Sequence, residues 1–249
     1  VDSKLVKGVE AIYQGDIMLI CFPYAGGGAS AYYRWSNQLA DVCHVCPIQL
    51  PGREERLVEQ AYTRVEDVAE QVVDILQNYD NPMVLYGHSM GTKILYEVEK
   101  RLEERNKAAQ LVIVSGCRPP HEKETKLLAD LSDEDFVEAL AEFHGIPEAL
   151  LENKELLHFF LPTLRADFLL SESYQCFEKK LLQAPIRAMG GNCDSEALED
   201  DMRAWKEYHP EDFECQMFEG THFYIREHEH EVVHQIEAWI KQYVDTERI

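Results

Sequence analysis

Positive charge is scarce in this chain. Lysine and arginine number 24 against 46 aspartates and glutamates in 249 residues, a formal net charge of −22, the wrong sign for coating phosphates or anionic lipid head groups. Nucleic acid and membrane surfaces are therefore poor partners. Long hydrophobic runs are lacking too: Met18 to Phe22 and Leu111 to Val114 are strand-sized, far below the roughly 20 residues that span a bilayer. No basic segment followed by an apolar one opens the chain, so the expectation is a cytoplasmic protein, and the leading Val1 points to a true start further upstream. Cysteine offers no framework: the seven, at 21, 43, 46, 117, 176, 193 and 215, are odd in number and scattered through apolar contexts. They read as reduced thiols in a chain large enough to do without staples. With 13 glycines, 10 prolines and 45% hydrophobic residues, collagen-like, low-complexity and wholly disordered chains are excluded. The length fits one domain, or one domain with an insertion.

What is present is an alternation. The apolar run Asp16 to Phe22 ends at Pro23, a glycine cluster follows at 26 to 28, and Tyr32 to Leu39 can turn helical. Val42 to Leu50 has strand character up to Pro51-Gly52, and Val65, Val68, Ala69, Val72, Val73, Ile75 and Leu76 then recur at helical spacing. Pro82 to Tyr86 is a short strand before a helix through Ile94 to Leu102, and Gln110 to Ser115 is a strand apolar enough to be buried on both faces. Such β-α-β-α order predicts an α/β protein with a mostly parallel, doubly wound sheet. The order stops at Arg118-Pro119-Pro120. From about 121 to 180 the signals are helical, with Ser132-Asp133-Glu134-Asp135 as a helix start and a second helix from Asn153 toward Leu170 interrupted by Pro162. This predicts a helical insertion over the sheet. Strands return at Pro185 to Met189 and Phe213 to Phe218, with Ser195 to Tyr208 helical between them and Ile225 to Tyr243 a closing amphipathic helix.

Gly87-His88-Ser89-Met90-Gly91 sits between a predicted strand and a predicted helix, the context of a nucleophile elbow. Glycines at both ends leave room for a sharp turn that lifts the Ser89 hydroxyl above the sheet, and the helix start presents the Met90 N–H toward a developing oxyanion. A serine needs a neutral imidazole as base and a carboxylate to orient it. His222 follows the last predicted strand in Gly220-Thr221-His222-Phe223, where the base belongs in the chain order serine, acid, histidine. Asp194, just after the strand 185 to 189, is the candidate acid; Asp167 in the insertion and Asp200 or Asp201 in the next helix are its rivals. A second oxyanion donor belongs on the loop after the first strand, where glycines 26 to 28 permit close approach, and the Ala25 N–H is the candidate.

These residues, with Cys21 to Gly27, Gln49 to Arg56 and Leu164 to Phe168, resemble in their order the motifs of the type II (external) thioesterases of nonribosomal peptide and polyketide synthase systems. The likeness spans roughly 17 to 245. It implies an α/β-hydrolase fold with a mobile helical lid at about 121–180, Ser89 as nucleophile, His222 as base and Asp194 as orienter, and it supports Met90 and Ala25 as oxyanion donors. The implied reaction is hydrolysis of stalled or misprimed acyl groups from the 4′-phosphopantetheine of acyl or peptidyl carrier proteins. No metal or organic cofactor is implied, the pantetheine being part of the partner's arm. A lid-bearing hydrolase of this size can act as a monomer. Thr92 departs from the family, which usually has a smaller Ala or Gly there. The alternatives are a product-releasing or medium-chain fatty acyl thioesterase, a general esterase, or a catalytically silent hydrolase fold that only binds.

Two other patterns compete. His230-Glu231-Val232-Val233-His234 fits a zinc-binding helix, yet Glu237 and Ile240 stand where an extended motif needs Gly and His, and an apolar stripe makes a closing-helix surface the better reading. Cys43-His44-Val45-Cys46 has no second cysteine pair and alternates like a strand. Phe143, Phe159, Phe160, Phe168 and Leu169 are candidates for an acyl pocket or for plain core. Carrier proteins are usually acidic, so docking on so acidic a chain needs a local basic or apolar patch; Lys93, Arg118, Lys123, Lys126 and Arg165 are the candidates.

Overall fold

The computed structural model describes residues 4–124, 126–142 and 153–246. Strands β1 (Met18–Phe22), β2 (His44–Pro47), β3 (Met83–His88), β4 (Leu111–Ser115), β5 (Ile186–Gly191) and β6 (Phe213–Phe218) form a sheet of order β2-β1-β3-β4-β5-β6 with parallel neighbours throughout. Helices are α1 (Tyr33–Gln38), α2 (Val65–Leu76), α3 (Met90–Glu104), α4 (Asp133–Glu142), α5 (Lys154–Ser173), α6 (Glu199–Ala204), α7 (Tyr224–Glu227) and α8 (Glu229–Thr246).

The two-residue period of a strand sorts its side chains onto two cores. Met18, Ile20 and Phe22 of β1 join Leu85, Val112, Val114 and Ile186 beneath α2 and α3. Leu19 and Cys21 join Tyr86, Ile113 and Met189 on the other face, against Trp35 of α1 and Val232, Ile236, Trp239 and Ile240 of α8. Strand β6 is an edge, and its Phe213, Cys215 and Met217 pack inward while Glu214 and Gln216 are exposed. A third cluster of Leu128, Phe136, Leu140, Leu157, Leu161 and Leu164 binds the helices between β4 and β5 to one another. Each apolar helix stripe is thus spent on a neighbour, the usual source of helix stability in a globular chain.

Several expectations shift. Helix α5 runs unbroken through Pro162: the proline faces solvent, where water can serve the carbonyl left unpaired at His158, while Leu157, Leu161, Leu164 and Leu170 hold the buried side. The helix expected from Ser195 starts only at Glu199, because Asp194 accepts the Glu196 and Ala197 N–H groups and keeps that stretch looped. The closing helix is two pieces, α7 and α8, parted at His228. The helix expected over Tyr32 to Leu39 is α1, which a 3-10 turn at Ala29–Tyr32 precedes. The start at Ser132 is as expected, its hydroxyl accepting the Asp135 N–H at 3.1 Å. Near the end of α3, buried Glu99 accepts the Ala109 N–H at 3.0 and 3.1 Å, and burial together with Glu103 pushes its carboxyl up to about 8. Among the described residues no helix is long and apolar enough to cross a membrane.

Candidate active site

The sheet sends β2 to one side of β1 and β3 to the other, which opens a crevice at the carboxyl ends of β1 and β3. Register pairs Phe22 with Gly87, so the loops after these strands start side by side. Ser89 sits at the turn with φ 53° and ψ −120°, a backbone conformation that costs a non-glycine residue of order 1–3 kcal/mol. The turn survives because the chain is pinned around it. Ser89 N–H donates to Ser115 O at 2.8 Å, and the Thr92 hydroxyl lies 2.7 Å from Gly87 O and 3.1 Å from Ser115 O. Thr92 therefore ties the elbow to β4. A Cβ on Gly91 would meet Phe22 O at 2.2 Å, and one on Gly87 would meet Gly91 O at 2.6 Å, so both ends of the turn exclude side chains. Met90 opens α3, and its N–H has no partner within the helix.

Asp194 and His222 come from the loops after β5 and β6, which Cys193 N–H to Gly220 O (2.9 Å) and Asn192 N–H to Phe218 O (2.8 Å) hold together. The Asp194 carboxylate is buried. Its Oδ1 accepts Glu196 N–H at 2.8 Å and Ala197 N–H at 3.3 Å, and its Oδ2 lies 2.8 Å from His222 Nδ1. That bond directs the other ring nitrogen, Nε2, away from the acid, and His222 shares one cavity wall with Ser89, Met90 and Ala25. The rival acids lie elsewhere: Asp201 accepts Leu198 N–H at the start of α6, Asp200 is exposed, and Asp167 is paired with Arg53.

Most donors of the glycine loop after β1 are committed. Gly26 N–H goes to Asp167 (2.7 Å), Gly27 N–H to Tyr24 O (2.9 Å), Ala29 N–H to Gln49 Oε1 (2.8 Å) and Ala31 N–H to Gly28 O (3.2 Å). Ala25, the predicted second donor, stands at the head of this loop on the cavity wall.

The cavity is about 620 Å³ and is floored by the elbow, with Leu128, Leu140, Phe160, Leu164 and Phe168 on the insertion side. Of the expected acyl-pocket residues, Phe160 and Phe168 line it, Phe159 and Leu169 are turned outward at 56% and 41% exposure, and Phe143 lies outside the described residues. The basic candidates are mostly spoken for: Lys93 is buried against Glu124 and Ser171 O, Arg165 binds Asp133 and the Leu131 carbonyl, Arg118 donates to Glu196 O, and Lys126 meets Glu196. Lys123 is an exposed side chain with no bond among the described residues.

Sequence reasoning did not single out His88, Ser115, Tyr224 or Arg226. His88 is wholly buried beneath His222, ring centres 5.0 Å apart, with Nδ1 2.8 Å from Ser115 Oγ, which also bonds the Tyr224 hydroxyl. Burial first, and then the neighbouring His222, hold its pKa well below the usual histidine range. It is a neutral floor for the ring above. Arg226 lies over the Tyr24 and Phe223 rings, 4.9 and 4.3 Å from their centres, at the cavity wall. The competing patterns sit away from this cavity. His230, Glu231 and His234 are exposed on α8, and no cluster of three metal-ligating side chains occurs among the described residues. Cys43 and Cys46 are free and buried, and burial pushes each thiol up to about 12, far from the thiolate that redox exchange needs.

Residues 18–240 match the thioesterase domain family. The gramicidin S biosynthesis protein GrsT of Aneurinibacillus migulanus is 36% identical over 222 residues, 87% of this chain and 86% of its own length. The human medium-chain S-acyl fatty acid synthase thioesterase is 31% identical over 229 residues, 89% of this chain and 84% of its own. The solved structure of YbtT, a type II thioesterase from the yersiniabactin NRPS/PKS pathway, aligns with a TM-score of 0.78 at 31% identity, covering 93% of this chain and 92% of that one. With its parallel sheet, its elbow at Ser89 and these likenesses, the chain belongs to the thioesterase family, among the type II thioesterases of nonribosomal peptide and polyketide systems, and carries the α/β-hydrolase fold.

Proposed function

We propose that this chain is a cytoplasmic serine thioesterase that hydrolyses acyl groups from the 4′-phosphopantetheine thiol of carrier proteins, clearing stalled or misprimed units. Ser89 is the nucleophile, His222 the base, Asp194 the orienting acid, and the Ala25 and Met90 N–H groups the oxyanion donors. The observation that carries the reading is the Asp194–His222 bond of 2.8 Å on the wall of the cavity that Ser89 enters from its strained turn. The Asp194 carboxylate keeps a proton on Nδ1, which leaves Nε2 free to take the Ser89 proton as Oγ attacks the thioester carbonyl. The oxyanion is met by the two N–H groups, the pantetheine thiolate departs without a strong general acid, and water activated by His222 hydrolyses the acyl-enzyme. No metal or organic cofactor enters this sequence of steps. The chain acts as one domain and as a monomer, with α4 and α5 of the segment 121–180 as its lid and the carrier's arm entering beside them.

The test is release of acetyl and longer acyl groups from a phosphopantetheinylated carrier protein. Turnover by the wild type and none by Ser89→Ala is expected; equal turnover by both refutes the assignment. A second reading, a medium-chain fatty acyl thioesterase, draws on the apolar side of the cavity, Leu128, Leu140, Phe160, Leu164 and Phe168, and on the human relative. It predicts a preference for medium-length chains whatever the thiol, so the rates with carrier-bound and coenzyme A-bound acyl groups separate the two.

A further inference from the structure

Two stretches quoted for the family likeness, Gln49 to Arg56 and Leu164 to Phe168, have no part in the reaction above, yet their buried charges meet. Asp167 is 1% and Arg53 5% exposed. Arg53 Nη1 donates to Asp167 Oδ2 at 2.6 Å and Nη2 to Oδ1 at 2.7 Å, a two-pronged pair. A buried ion pair is a weak source of net stability, since desolvating two charges offsets most of their attraction. Its position is more telling than its energy.

Both partners also hold the glycine loop. Asp167 Oδ2 accepts the Gly26 N–H at 2.7 Å, and Arg53 Nη1 donates to Gly27 O at 3.1 Å. Between these two anchors the Gly27 N–H turns back to Tyr24 O at 2.9 Å. Tyr24 C=O and Ala25 N–H belong to one planar trans peptide and point in opposite directions. Committing the carbonyl to Gly27 therefore aims the Ala25 N–H the other way. The Gly26 N–H bond to Asp167 fixes the next peptide of the turn, Ala25–Gly26, and the Arg53 bond to Gly27 O fixes its far end, so the turn that commits the Tyr24 carbonyl is held from both sides. Arg53 in turn is locked, with Nε and Nη2 on Pro51 O at 3.3 and 3.2 Å.

We propose that Asp167, clamped by Arg53, is a positioning residue for thioester hydrolysis that fixes the Tyr24–Gly27 turn and so keeps the Ala25 N–H aimed at the developing oxyanion. This rests on the reading of Ala25 as an oxyanion donor. Because Asp167 lies on α5, between β4 and β5, the helix that supplies Leu164 and Phe168 to the cavity wall also supports the oxyanion site. Loss of the clamp leaves acyl binding in place and weakens stabilisation of the transition state. Removing a whole oxyanion donor costs about 10²–10³ in kcat, and a donor that is misaimed rather than lost costs about 10–100-fold.

Steady-state hydrolysis of an acyl carrier protein by Asp167→Asn and Arg53→Lys, beside the wild type and Ser89→Ala, tests this. The lysine keeps the charge but has no planar fork. Both variants are expected to lose about 10–100-fold in kcat with KM within about threefold of the wild type. Affinity for an alkyl boronic acid, whose tetrahedral adduct on Ser89 puts an oxygen in the hole, is expected to fall by the same factor. Near-UV circular dichroism reports folding. Should either single variant lose its signal, the Arg53→Gln/Asp167→Asn double, which buries no lone charge, is expected to show the same split. Near-wild-type kcat in the folded variants beside an inactive Ser89→Ala overturns the clamp alone, as does a loss confined to KM with boronate affinity unchanged. Full turnover by Ser89→Ala overturns the catalytic reading and the clamp with it.

Discussion

Replacing Asp194 by asparagine isolates a single proton. In the wild-type site Oδ1 is committed to the Glu196 and Ala197 N–H groups and Oδ2 to His222 Nδ1. The asparagine oxygen inherits the first two bonds, since only an acceptor serves there, and its NH2 then faces His222. An amide N–H pointing at Nδ1 stabilises the tautomer that carries its proton on Nε2, so the imidazole meets Ser89 with a donor where a base is needed. The loop and the ring keep their places while the chemistry stops. The expected loss is about 10³–10⁴ in kcat, or about 4–5.5 kcal/mol at 1.36 kcal/mol per factor of ten. Single-turnover release of a radiolabelled acyl group from a pre-loaded carrier protein, with KM and melting temperature measured alongside, is the assay. Asp194→Ala serves as a contrast, because it removes the loop bonds as well and is expected to lower the melting temperature where Asp194→Asn does not. A kcat for Asp194→Asn within tenfold of the wild type refutes the reasoning, and Asp167→Asn would then have to be read as a variant of the acid itself.

Other consequences are equally specific. Glu99 has its carboxyl raised to about 8 by burial and by Glu103; a carboxyl raised on folding contributes stability below its unfolded value that is lost as pH climbs through 8, so Glu99→Gln is expected to gain about 1 kcal/mol or more, roughly 2–4 °C, at pH 8 and little at pH 4. Equal shifts in melting temperature at the two pH values would contradict this. Thr92→Ala strips the elbow of bonds to Gly87 O and Ser115 and is expected to cost about 1–3 kcal/mol by chemical denaturation, a cost that Thr92→Ser largely restores. His230→Ala/His234→Ala, and incubation with a chelator, are expected to leave turnover unchanged, because both side chains are exposed on α8; a loss reversed by added zinc would revive the metal reading. Phe168→Trp adds bulk to the cavity wall and is expected to shift preference toward short acyl chains, seen as a rising ratio of acetyl to octanoyl release.

The parts of the fold most legible in the sequence are those with local causes. Strands β1, β3 and β4 are buried on both faces and therefore read as unbroken apolar runs, and β6, an edge, reads as alternation. The sharp turn at Ser89 is legible because it needs glycines at fixed offsets between a strand and a helix, and the position of His222 just after β6 because the last strand ends before it. Boundaries failed where a side chain spent backbone donors that a helix would have used, as Asp194 does before α6, or where solvent exposure made a proline tolerable, as at Pro162. Asp167 stands out in the sequence only as a rival acid. Its partner lies 114 residues away, and no spacing rule links a residue after β2 to one in a helix between β4 and β5. Lys93 and Arg165 stand among the docking candidates because sequence carries their charge and not the Glu124 and Asp133 carboxylates that pair with it.

The Arg53–Asp167 pair also limits how this scaffold can be recombined. The segment between β4 and β5 looks like a cassette that could be exchanged among relatives to retune acyl preference, since both its ends leave and rejoin the sheet at neighbouring strands. It is a cassette with a tether. A graft that brings a residue without a carboxylate to position 167 strands a guanidinium in the interior, at a cost of about 3–5 kcal/mol, and chimaeras that exchange Arg53 and Asp167 as one unit are the ones expected to fold.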